Sequence, residues 1–125
     1  MLRLILGTAS TLLIIFIIPI LVYGALAGIL NMKTPEGVSP LRFLLGTLVS
    51  KIGTAILIAF IFFFAKDVFF DNWILFTAII FAMFVFGEIG QSLGPNYSWK
   101  EALSGILSEA IYLPLSVLVL RLIFK

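Results

Sequence analysis

Cysteine and histidine are both missing from this chain of 125 residues. Their absence removes several chemistries together. No disulfide framework, thiolate or iron–sulfur chemistry, haem held by axial histidine, or zinc site of cysteine and histidine can be built. Serine-histidine-aspartate and cysteine-histidine catalysis are excluded by the same count. Charge is the second scarcity: 11% of residues are charged and 62% are hydrophobic, too little polar surface to solvate a globule of this size. The net charge is only +2, and the eight lysines and arginines are scattered along the chain. That spread argues against nucleic acid as a partner and against a dedicated patch for anionic lipid. No residue set suggests a cofactor, and Lys66, Asp67 and Asp71 read as a solvated turn, with too few oxygen ligands for a hard cation.

What is present is apolar length. Between Arg3 and Lys33 no side chain is charged, a stretch long enough to cross a bilayer as a tilted helix. Arg3, the run Leu12 to Val22 and Ala25-Leu26-Ala27 imitate a secretory signal. The apolar run continues past that pseudo-site to Met32, so a retained helix is the expectation.

The fold class expected is all-α: a single transmembrane domain over 1–125 with spans at about 4–30, 40–65, 72–93 and 99–124. Pro19 should kink the first. Ser39-Pro40 opens the second with a serine N-cap and proline at the first helical position. Asp71 or Asn72 should cap the third, which Gly94-Pro95 stops, with Trp73 at the membrane interface. Ser98-Trp99-Lys100-Glu101 has the spacing of a capping box and opens the fourth. Four spans place both termini on one side. Arg3, Lys66, Arg121 and Lys125 on that side against Lys33, Arg42 and Lys100 on the other favour cytoplasmic termini, by one residue.

The ionisable residues inside the spans gather at one depth. Lys51 lies twelve residues past Ser39 and Glu109 eleven past Ser98. At 1.5 Å per residue both fall roughly 16 to 18 Å along helices that start from the same face. Glu88, six residues before Gly94, approaches from that face too, at about 9 Å from its helix end. Each sits on a polar stripe at helical spacing: Thr47, Ser50, Lys51 and Thr54 in the second span, and Glu88, Gln91 and Ser92 in the third. Gly105, Glu109, Tyr112 and Ser116, with Ser104 and Ser108 beside them, line the fourth. The first span offers Gly24-x-x-x-Gly28, which permits close packing within the chain or between copies, with Tyr23 and Asn31 nearby.

These stripes suggest a polar cavity opening toward loops one and three, with Glu109 and Glu88 as cation or proton sites and Lys51 as counter-charge. Gln91, Ser50, Thr54, Ser108 and Tyr112 complete the candidate site. A simpler alternative is a permanent Lys51–Glu109 pair in a bundle that transports nothing. Trp73, Tyr97 and Trp99 read as interfacial anchors, and the phenylalanine runs from Phe60 to Phe64 and Phe81 to Phe86 as lipid-facing or core bulk.

Aligning Ser39 with Ser98 also pairs Leu44 with Leu103, Gly46 with Gly105, Leu48 with Leu107 and Ile52 with Ile111. This faint repeat would make the chain two helical hairpins of one orientation. Four helices enclose little space, so the function expected is a homo-oligomeric, most simply homodimeric, ion- or proton-linked transporter or channel. The alternative is an accessory subunit of a larger membrane complex, covered by other membrane subunits. An intramembrane enzyme ranks last, because only Lys51 lies at depth to meet a phosphate.

Overall fold

The computed structural model describes residues 1–32, 37 and 39–125. Among them the chain forms five helices and no strands: α1 (Leu2–Ile29), α2 (Pro40–Phe64), α3 (Lys66–Phe69), α4 (Trp73–Ser92) and α5 (Trp99–Phe124). Four of these are long and apolar enough to span a membrane, giving a four-helix, multi-pass membrane bundle. Helices suit that setting because each satisfies its own backbone polar groups where no water can. Lys33, one of the residues counted for orientation, lies outside the described residues.

The helix ends follow local chemistry. Ser39 Oγ accepts the Arg42 amide at 3.2 Å, and Pro40 occupies the first helical position. The capping box of α5 is complete: the Glu101 amide donates to Ser98 Oγ at 3.3 Å, and the Ser98 amide donates to Glu101 Oε2 at 2.7 Å. Asn31 closes α1. It takes the left-handed conformation (φ 51°), which lets the Met32 amide donate back to the Ala27 carbonyl at 3.0 Å, the pattern of a Schellman stop.

Two expectations about ends are corrected. Asn72 stands at the N-cap of α4 but makes no capping bond, because its Nδ2 donates to the Val68 carbonyl at 3.1 Å. The turn at Lys66 is itself one helical turn, α3, since the amides of Val68 and Phe69 donate to the Ala65 carbonyl.

α5 is the central helix. It carries eleven buried residues along its whole length, against three in α1, four in α2 and three in α4. α1 and α4 pack on its two sides, and α2 packs on α1. Gly7 of α1 faces Leu120 and Phe124 of α5, while Tyr23 faces Glu101, so α1 and α5 run antiparallel and both termini lie at one end.

The buried residues of the three outer helices all lie toward that end: Gly7, Thr11 and Ile15; Ala55, Ile58, Ala59 and Phe62; Phe76, Thr77 and Ile80. Phe62 joins them, its ring 5.3 Å from Phe76 and 6.3 Å from Phe124. The matched repeat positions are not equivalent: Gly46 faces open space, whereas Gly105 is pressed by Glu88.

Candidate functional site

Away from the termini the helices diverge and leave a cavity of about 450 Å³. Pro19, Ile20 and Tyr23 of α1, Phe43, Leu44, Thr47 and Lys51 of α2, and Glu88 of α4 line it. Asn96 and Tyr97 of the α4–α5 turn and Glu101, Gly105, Ser108, Glu109 and Tyr112 of α5 complete the wall. A shallower depression nearer the loops shares Asn96, Tyr97 and Glu101 with it. The cavity therefore reaches the side of loops one and three. Its far end is plugged by the core around Ile15, Phe62 and Leu113, each fully buried.

Glu88 is held by a glycine and a tyrosine. A side-chain carbon on Gly105 would lie 2.5 Å from Glu88 Oε1, so the missing side chain is what admits the carboxylate against α5. From the α4–α5 turn, Tyr97 Oη donates to Glu88 Oε2 at 2.6 Å. Burial keeps the Tyr97 hydroxyl above the usual tyrosine range, and its bonds to Glu88 and Tyr23 add to this. It is therefore a donor at neutral pH. Tyr23 Oη donates to the Glu101 carbonyl at 3.2 Å and lies 3.4 Å from Tyr97 Oη, which ties α1 into the same network.

Glu109 lies one turn beyond Gly105 on α5 and is 3% exposed. Its Oε2 is buried without a hydrogen-bond partner, and so is the hydroxyl of Tyr112. Lys51 does not lie within 4.0 Å of either glutamate; its Nζ stands 5.3 Å over the Tyr112 ring. The alternative of a permanent Lys51–Glu109 ion pair is thus not what the structure holds. The ion pair among the described residues joins Arg121 to Asp71 at 4.0 Å, at the terminal end.

The structure brings Lys51, Glu88, Glu109, Ser108 and Tyr112 to one cavity and leaves other candidates out. Ser108 Oγ donates to the Ser104 carbonyl at 2.9 Å and is spent within its own helix. Thr54 donates likewise to the Ser50 carbonyl at 3.2 Å, off the cavity wall. Ser50 and Gln91 are exposed on outer faces. Gly24 and Gly28 have nothing within 4 Å of where a side chain would begin, so the close contact expected within the chain is absent. Tyr97 and Tyr23 were missed as site residues. Aromatics near helix ends read as interfacial anchors, and only the Gly94-Pro95 turn hints that Tyr97 folds back toward Glu88.

No family model, curated protein or solved structure matches the chain. The reading of function therefore rests on the cavity itself.

Proposed function

We propose that this membrane protein is a homo-oligomeric ion- or proton-linked transporter or channel, with Glu109 and Glu88 as the exchanging carboxylates. The observation that carries the reading is Glu109: a carboxylate 3% exposed, with an oxygen lacking any hydrogen-bond partner, on the wall of a cavity. Ionisable groups at membrane depth are costly and are kept chiefly where they pair or serve a pathway. Lys51, the available counter-charge, stands on Tyr112 and leaves both carboxylates unpaired with it. A purely structural ion pair would be closed.

The plugged far end favours a carrier over an open pore. A species bound at Glu109 meets the packed core at Leu113 and Phe62, so passage requires that half to move or a second copy to supply the path. With cytoplasmic termini, the cavity faces outward.

The test is flux in vesicles holding the purified chain, read with a pH-sensitive dye under a proton or cation gradient. Glu109→Gln removes flux and Glu88→Gln reduces it, while helical content and particle mass stay at the wild-type value. Wild-type flux in Glu109→Gln would refute the reading. Stoichiometric co-purification of other membrane chains, with no flux from this chain alone, would point to the accessory-subunit alternative.

A further inference from the structure

The cavity holds both signs of charge, and within the described residues no ion pair of 4.0 Å or less joins them. Lys51 Nζ of α2 rests on the Tyr112 ring, while Glu109, three residues before Tyr112 on α5, lines the same cavity with one carboxylate oxygen buried and without a hydrogen-bond partner. Glu88 adds a second carboxylate, fixed by Tyr97. A simple cation at this wall meets the repulsion of Lys51, and a simple anion meets that of two carboxylates. A ligand carrying both signs a few ångströms apart is the one that both groups attract.

The side of the cavity is open as well. α2 and α4 meet near the terminal end, where Phe62 lies on Phe76. Toward the loops, Phe43 and Leu44 of α2 are 56% and 42% exposed although they line the cavity. On α4, Gly87 and Gly90, either side of the cavity-lining Glu88, have nothing within 4 Å of where a side chain would begin. This leaves an apolar gap leading from the charged wall into the surrounding hydrocarbon. The enclosed volume of about 450 Å³ is at the lower end of small-molecule sites, room for a head group and not for a whole lipid.

Resting on the transport reading of the same cavity, we propose that its ligand is a zwitterionic amphiphile. A primary ammonium meets Glu109 and Glu88, a phosphate or carboxylate meets Lys51, and an apolar tail leaves between α2 and α4. A primary ammonium brings three donors, which suit the Glu109 and Glu88 carboxylates together. A quaternary ammonium brings none. Phosphatidylethanolamine has this chemistry and phosphatidylcholine lacks the donors, which makes the pair a direct probe.

The full chain is reconstituted in vesicles of equal parts phosphatidylethanolamine and phosphatidylcholine, extracted in mild detergent, and its retained lipid identified by mass spectrometry. Wild type retains phosphatidylethanolamine about tenfold over phosphatidylcholine. Glu109→Gln and Lys51→Met each abolish the preference, and Lys51→Arg keeps it, which separates loss of charge from loss of fold. Equal retention of the two lipids by wild type, or a preference unchanged in both Glu109→Gln and Lys51→Met, overturns the proposal.

Free phosphoethanolamine tests the tail. Displacement of bound lipid by phosphoethanolamine only at far higher concentration than by a short-chain phosphatidylethanolamine supports the apolar exit; equal potency overturns it in favour of a soluble zwitterion. Flux without lipid preference removes this ligand and leaves the transport reading standing. Lipid preference without flux retains the ligand and removes transport.

Discussion

The two halves of this bundle are made of the same four helices but obey different rules. Toward the termini, phenylalanines interdigitate: Phe62 is fully buried between Phe76 and Phe124, and Phe63 packs edge-on to Phe124 at 5.2 Å. Toward the loops, α2 and α4 part, and the space is lined by Lys51, Glu88, Glu109 and three tyrosines. Orphaned polar atoms occur in both halves. In the closed half they are the hydroxyls of Thr11 and Ser116 and the Nε of Arg121; in the open half they are a Glu109 carboxylate oxygen and the Tyr112 hydroxyl. A buried hydroxyl without a partner costs little beside a carboxylate, and the Arg121 guanidinium has Asp71 at 4.0 Å, whereas Glu109 has no cation within that distance among the described residues. Shape is therefore secured at the terminal end, and chemistry is exposed at the other.

The largest effect belongs to the closed half. Phe62→Ala should lose about 3–5 kcal/mol, as full truncation of a buried aromatic does. Denaturant unfolding in mixed micelles measures this, and a loss below about 1 kcal/mol would mean that the terminal half is not what holds the bundle.

Gly105→Ala probes the boundary where Glu88 meets α5. Its side-chain carbon would fall 2.5 Å from Glu88 Oε1, so the glutamate must leave its seat, at an expected cost of about 1–3 kcal/mol and with reduced flux. Should the variant fold and conduct as wild type, the seat of Glu88 against α5 has no role in the site.

Tyr97→Phe removes the 2.6 Å bond to Glu88 and should lower stability by about 1 kcal/mol while altering flux. The split matters here. A stability change with wild-type flux would assign Tyr97 to the loop and not to the site.

Smallest is the expected effect of Gly24→Ala and Gly28→Ala. Both positions face open space, so the added methyl groups meet nothing within the chain. Helix propensity alone predicts a gain of up to about 1 kcal/mol each. The particle mass in native discs is the sharper measurement, because loss of the oligomer would show that this face serves contact between copies.

Much of the fold is legible in the sequence. The serine caps at Ser39 and Ser98 and the uncharged run after Arg3 located the helices to within a residue or two, because backbone satisfaction in lipid leaves one local solution. The common depth of Lys51, Glu88 and Glu109 was also legible from rise per residue, and the three line one cavity. Asn31 was read as a polar group beside Tyr23, whereas its left-handed backbone ends α1.

Other readings failed for one reason. Periodicity says which residues share a face and not which face looks inward. Gln91 lies three residues from Glu88 and Ser50 one residue from Lys51, yet both are exposed and neither lines the cavity. Gly24 and Gly28 fell on a face of α1 that neither α2 nor α5 covers.

Local chemistry, read residue by residue, determined a four-span helical membrane protein and the common level of Lys51, Glu88 and Glu109 along its helices. It reached that far because hydropathy, caps and rise per residue depend only on neighbours along the chain. Which helix lies at the centre, that Glu88 is seated on Gly105 under the hydroxyl of Tyr97, and that Lys51 rests on Tyr112 and not in an ion pair with Glu109 were decided only in three dimensions. Those facts depend on contacts between residues far apart along the chain, which no local rule reaches.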